Sequence, residues 1–123
     1  MQMIVYCADV IARLGNASGP IVLIRRLGTQ KGLALPGGEQ EKGELLSRTV
    51  CREFQEETGM TLSVSAVLGT YAEDRRDERG RYVSTVFVGV ASGVIRAEED
   101  KTEVFLLQDS EVIDCKDDFA FDH

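Results

Sequence analysis

The chain has 123 residues, 43% of them hydrophobic and 28% charged, and a net charge of -7 at pH 7. That length predicts one domain over residues 1–123 with a single core, and the acidic balance argues against a nucleic-acid partner, whose phosphates call for clustered Lys and Arg. No apolar run approaches the roughly 20 residues that cross a bilayer, and the N-terminus lacks the basic and small-residue pattern of a secretion signal, so the expectation is a cytoplasmic protein with no membrane partner.

Residues 3–14 (MIVYCADVIARL) and 20–25 (PIVLIR) are rich in β-branched residues and predict two strands joined by a Gly-Asn-Ala-Ser-Gly turn. A short strand is expected at 33–35, ending in the turn signal Pro36-Gly37-Gly38. Residues 45–58 contain neither Pro nor Gly, and Gly59 stands where a left-handed helix cap belongs, with apolar Met60 beyond it. Two further strands are predicted at 61–71 and 81–90, separated by the charged loop AEDRRDERG, and another at 103–107 after the acidic stretch RAEEDKT. DSEVID supplies a short helical turn near the end. Strands, one long internal helix and more strands define an α/β class.

Cys7, Cys51 and Cys115 form no close pair, which speaks against a disulfide framework and a zinc site. Cys7 and Cys51 lie in apolar patterns and read as core residues. The single histidine, His123, is terminal, which leaves a Ser-His-Asp or Cys-His mechanism without a well-placed base.

The chemistry concentrates in residues 37–60, GGEQEKGELLSRTVCREFQEETGM. At helical spacing Leu46, Val50 and Phe54 form an apolar stripe, and Glu53, Glu56 and Glu57 fall on an arc beside it. Like charges this close repel by a few tenths of a kcal/mol per pair at a surface and by roughly 4 kcal/mol at 4 Å in a partly buried setting. Arg52 neutralises one of them. A hard divalent cation would relieve the rest, and Mg²⁺ suits a site where phosphate completes the shell. The plain alternative is a solvated acidic helix face.

The spacing of Gly38, Glu44, Arg52, Glu53, Glu56, Glu57 and Gly59 resembles the box of the Nudix hydrolases at every fixed position, with Phe54 where an aliphatic residue is more usual. The resemblance implies a Nudix-type α/β/α sandwich with a mixed sheet, the C-terminal helix here being short or missing because the sequence stops at FAFDH. It implies Mg²⁺, or Mn²⁺, held by Glu53, Glu56 and Glu57 with a backbone carbonyl at Gly37 or Ala34. Arg52 orients a glutamate, and Glu44 serves as an outer metal contact. The general base is one of Glu53, Glu57, Glu98 and Glu103. Arg75, Arg76, Arg79 and Arg81, foremost Arg76 and Arg79, are candidates for holding a terminal phosphate or ribose. Of Arg25 and Arg26, one contacts substrate and the other faces solvent, with Arg25 preferred.

The implied reaction is cleavage of the pyrophosphate linkage of a nucleoside diphosphate derivative to a nucleoside monophosphate and a phosphorylated product. Residues 71–87 resemble the loop and strand that follow the box in ADP-ribose pyrophosphatases, with Asp74 and Glu78 where that group commonly has proline. ADP-ribose or a related nucleotide sugar is therefore the first expectation. The alternatives are a nucleoside triphosphate, oxidised or pterin-based, and a Nudix-like module that senses a nucleotide without cleaving it. The resemblance also admits a homodimer.

Overall fold

The computed structural model describes residues 3–27, 32–77, 80–96 and 102–114. Its elements run β1 (Ile4–Leu14), β2 (Ile21–Arg26), β3 (Gly37–Glu39), α1 (Leu46–Thr58), β4 (Thr61–Asp77), β5 (Gly80–Ser92), β6 (Thr102–Leu107) and α2 (Asp109–Asp114). Among the described residues the strands form one mixed sheet in the order β4-β5-β1-β2-β6, with β3 added on β1.

β1 is the centre. One of its edges runs parallel to β5 from Ile4↔Arg81 to Leu14↔Ala91. Its other edge is divided: the pair nearest the turn, Arg13↔Ile21, belongs to β2, whereas Cys7, Ala8 and Asp9 pair with Glu39, Gly38 and Gly37 of β3. The hairpin from β1 to β2 is closed by Leu14 N–H to Pro20 C=O (2.9 Å) and Gly19 N–H to Asn16 C=O (3.0 Å). Beyond it β1 and β2 part, and residues 34–39 fill the opening through Ile24–Ala34 bonds and Val10 N–H to Pro36 C=O at 3.0 Å. The functional segment is inserted at this split.

α1 packs on one face of the sheet. Val50 and Phe54 are fully buried against Ala8, Val10 and Ala12 of β1, Val22, Leu62, Phe87 and Ala91, with Leu46 packed partly against them. Two alanines on the strand beneath the helix let its backbone approach closely, and Phe54 fills the space between. Burial of that one ring contributes roughly 1.5–3 kcal/mol. The predicted stripe is thus the observed one. Leu45 is the helix's first flanking residue, without a side-chain cap, and Gly59 ends it in the left-handed region at φ 77°. Gly59 N–H bonds Gln55 C=O at 2.8 Å, and a Cβ there would lie 2.6–2.8 Å from Arg96, whose own N–H reaches Thr58 C=O at 2.7 Å.

The opposite face carries buried Val5, Leu23, Tyr82 and Val86. On it Arg13 holds Asp109 of α2 at 2.7 Å. The second helix is accordingly short among the described residues, as expected, and none of the described helices is long and apolar enough to cross a membrane.

Two expectations are corrected. Residues 72–77 and 80 belong to strands: Ala72↔Val83, Glu73↔Tyr82, Arg76↔Arg81 and Asp77↔Gly80 continue β4 and β5 past the predicted ends. Charge does not bar a stretch from an edge strand, where paired backbone supplies the order that composition does not reveal. The short strand expected at 33–35 is reduced to bridge residues at Leu33 and Ala34, the latter paired with Ile24, and the regular strand lies in Gly37–Glu39.

Candidate active site

The box divides into two ends with different chemistry. Arg52, midway along α1, forms a fork with Glu44, which precedes the helix: Nε donates to Oε2 at 2.8 Å and Nη2 to Oε1 at 3.0 Å. Glu44 Oε1 also accepts from Glu41 N–H (3.0 Å) and Thr49 Oγ1 (2.7 Å). These donors, Arg52 first, hold the Glu44 carboxyl down to about 2. The same hydrogen bonds push the Arg52 guanidinium's proton affinity up. Arg52 Nη1 then donates to Glu53 Oε1 at 2.7 Å, and Nη2 reaches the Glu39 carbonyl at 3.2 Å. One guanidinium therefore ties the loop before α1, the strand β3 and the acidic helix face together.

At the far end Glu57 is only 7% exposed. Its Oε1 accepts the Gly37 N–H at 2.9 Å and its Oε2 accepts from Arg26 Nη2 at 2.8 Å, while the same Nη2 donates to the Gly37 carbonyl at 2.9 Å. Thr102 Oγ1 of β6 holds the Glu57 carbonyl at 3.0 Å. Strands β2, β3 and β6 thus fix this glutamate from three sides. Burial nevertheless raises its carboxyl to about 7, against the pull of Arg26 and the Gly37 N–H and aided by the neighbouring Glu53 charge. Glu53 is raised too, by burial first and by Glu56 among its neighbours, with Arg52 opposing.

The two glycines of β3 explain how carboxylates come so close. Strand residues alternate between faces. A Cβ at Gly38 would sit 2.5 Å from Glu53 Cδ and 2.6 Å from its Oε2, on the α1 side. A Cβ at Gly37 would run into Asp9 Oδ1 and the Ala8 carbonyl on the other side. Each bare Cα therefore admits one acidic side chain.

The predicted residues fall into distinct places. Arg52, Glu53, Glu56, Glu57 and Gly37 are brought together; Glu56 is the most exposed of these three glutamates, with a 3.5 Å ion pair to Arg52. Glu103 lies exposed on β6 opposite Arg25 and makes no hydrogen bond or ion pair to the box among the described residues. Arg25 stacks 5.1 Å from the Phe105 ring centroid, and its buried Nε has no partner among the described residues. Arg26, the next residue along the strand, is the one that enters the box, since adjacent strand residues face opposite ways. Arg76 belongs to the β4 ribbon by backbone pairing with Arg81, its side chain lying outside the described set. Arg79, Glu98, Cys115 and His123 lie outside the described residues. Cys7 and Cys51 are half-buried, Cys51 packing against the core and facing the Leu62 carbonyl at 3.6 Å.

Sequence reasoning passed over Asp9 and ranked Arg26 below Arg25. The signal for Arg26 is strand alternation, because Leu23 and Arg25 share one face while Val22, Ile24 and Arg26 share the other.

Among the described residues no three Asp, Glu, His or Cys side chains already converge as a cation cage. The donor chemistry still suits a hard dication. It consists of oxygens only, two of the carboxyls resist ionising alone, and the exposed Glu56 stands beside them.

Comparison with known proteins agrees with this geometry. The chain is 40% identical over 108 residues to an ADP-ribose pyrophosphatase of Methanocaldococcus jannaschii, a match covering 84% of this chain and 60% of that one, so it spans well under the relative's full length. Its fold matches a NUDIX hydrolase from Nitrosomonas europaea with a TM-score of 0.79 at 17% identity, covering 95% and 80% of the two chains. It also matches a bifunctional NMN adenylyltransferase/ADP ribose pyrophosphatase from Francisella tularensis, complexed with AMP and manganese ion, with a TM-score of 0.75 at 23% identity over all of this chain and 39% of that one. The profile of the NUDIX domain covers residues 5–120. With that match spanning nearly the whole sheet, the helix and the box, the chain belongs to the NUDIX family of hydrolases.

Proposed function

We propose that this hydrolase cleaves the pyrophosphate linkage of a nucleoside diphosphate derivative, ADP-ribose or a related nucleotide sugar, to a nucleoside monophosphate and a phosphorylated product, with Mg²⁺ or Mn²⁺. The observation that carries the reading is the destabilised charge at Glu53 and Glu57 beside the bare backbone of β3. Glu53, Glu56 and Glu57, with the Gly37 carbonyl, are the groups that would hold the cation. When bound, a divalent ion neutralises phosphate oxygens and lowers the pKa of water.

The chain's own residues do the rest. Arg52 holds Glu53 in place and keeps the loop of Glu39–Glu44 against the helix. Arg26 spans Glu57 and the Gly37 carbonyl, and its guanidinium also presents positive charge toward the place where a diphosphate would lie. Glu53 and Glu57 are the candidate proton acceptors for the attacking water in the box. Glu98 stays a candidate by position in the sequence alone. For Glu103, its exposure and lack of contact with the box make a catalytic role the weaker assignment.

The choice of a nucleotide sugar over a triphosphate rests on the 40% identity to the archaeal ADP-ribose pyrophosphatase. The test is product analysis over a panel of ADP-ribose, other nucleotide sugars and nucleoside triphosphates with Mg²⁺ and with Mn²⁺. AMP plus ribose phosphate from ADP-ribose as the preferred reaction supports the reading. Preferential pyrophosphate release from a triphosphate replaces it with the triphosphate reading.

A further inference from the structure

The face of the sheet opposite α1 holds an acid that the box does not include. Asp9, on β1, stands directly across from Gly37 in the β1–β3 ladder. Its Oδ1 occupies the space that a Cβ at residue 37 would need, and its Oδ2 accepts a short hydrogen bond from the Ser84 hydroxyl of β5. Ser84 is itself buried, with 2% of its surface exposed. On the far side of the same glycine, the N–H is taken by Glu57 and the carbonyl by Arg26. Gly37 is therefore held between two carboxylates, one from each face of the sheet, with no side chain of its own to fix its position.

We propose that Asp9, anchored by Ser84, is a positioning residue for the box: it fixes Gly37 so that its N–H meets Glu57 and its carbonyl meets Arg26. β3 has only three residues and, among the described residues, its strand pairing is with β1, so its own ladder restrains it weakly. A carboxylate packed on the bare Cα supplies the missing contact. The Ser84 hydrogen bond selects the Asp9 rotamer that makes it, since loss of that acceptor would leave the buried hydroxyl unsatisfied. The role depends on shape and on accepting the Ser84 hydrogen bond, and it does not require the negative charge. The inference rests on the proposed function only where turnover is read; its primary readout does not.

The test compares Asp9→Ala, Asp9→Asn and Ser84→Ala with the unmodified protein. Hydrogen exchange of the Gly37 amide is followed by NMR without metal, Mn²⁺ affinity by EPR, and kcat and KM on the preferred nucleotide. Asp9→Ala and Ser84→Ala should each speed Gly37 exchange by about tenfold or more, with amides of the β1–β5 ladder such as Ile11 and Gly89 unchanged. Mn²⁺ binding should weaken and kcat fall by about tenfold, with KM little altered. Asp9→Asn should stay within about threefold of the unmodified protein in each readout, because the amide oxygen still accepts from Ser84 and fills the same space. Unchanged Gly37 exchange and Mn²⁺ affinity in Asp9→Ala would overturn the proposal. So would an Asp9→Asn variant as damaged as Asp9→Ala, which would assign the effect to charge. If Asp9→Ala does not fold, Ser84→Ala decides: a loosened Gly37 supports the proposal and an unaltered one overturns it. Should the unmodified protein turn over no nucleotide, the functional reading fails while the Gly37 exchange still decides the role of Asp9.

Discussion

Glu44 precedes α1 and Glu57 lies in its last turn, and their carboxyls are driven in opposite directions, to about 2 and about 7. Glu44 receives four donors, including both arms of an arginine fork, and its charge is fully compensated within the protein. Glu57 receives two donors of comparable length, yet burial outweighs them. The same residue type thus serves as a finished structural joint at one end and as an incomplete electrostatic site at the other. The stable joint and the proposed cation site are separated along one helix, with Arg52 between them.

Breaking the incomplete end should do the most damage to turnover. Glu57→Gln should lower the Mg²⁺-dependent rate by at least about 100-fold, beyond what loss of an outer contact costs, while circular dichroism shows an unchanged fold. Full activity of that variant over the nucleotide panel would remove Glu57 from the site. Next, Arg52→Lys keeps the charge but loses the fork, since an ammonium cannot reach both Glu44 oxygens and Glu53 at once. It should lower kcat by about 10- to 100-fold and also lower Tm, whereas Glu57→Gln should not; calorimetry beside kinetics separates the two ends.

Gly38→Ala probes the space between them. The new methyl group collides with Glu53, whose flexible end can swing away. We expect kcat to drop about tenfold with Tm nearly constant, and a large loss of Tm would show instead that the β3 backbone had moved. Arg25→Ala should change least. It removes a cation–π contact worth about 0.5–1 kcal/mol, measurable by urea denaturation, and should leave turnover far less changed than Arg26→Ala does.

Much of this was legible in the residues themselves. The spacing from Gly38 to Gly59 located the helix, its cap and its acidic arc, because helical period and glycine conformation are local properties. The stripe of Leu46, Val50 and Phe54 turned inward as the period requires. What escaped were the relations between strands. Asp9 gained its place only through a ladder with Gly37 and a neighbour, Ser84, far along the chain. The residues after Tyr71 read as loop by charge, yet pairing with β5 made them strand. Arg25 and Arg26 are alike in composition, and only the side of the sheet facing α1 tells them apart. A sequence shows which side chains alternate, but the partner on each face is settled by topology.

If the Glu57 end waits for a cation, pH separates it from ordinary carboxylates. A carboxyl raised from its ordinary 4.5 to about 7 keeps its proton in the folded chain while the unfolded chain has lost it. Without metal, the fold therefore loses stability as pH rises through that window, by up to about 3 kcal/mol, and the cost is constant above it. Glu44 acts with the opposite sign, contributing stability above its ordinary value that is lost as pH falls toward about 2. The deciding measurement is Tm with and without Mg²⁺ at pH 8 and pH 5, for the unmodified protein and Glu57→Gln. Adding Mg²⁺ should raise Tm by at least about 4 °C at pH 8, much less at pH 5, and little at either pH in the variant. An equal rise at both pH values, or one that survives Glu57→Gln, would mean that the cation is not held by Glu57.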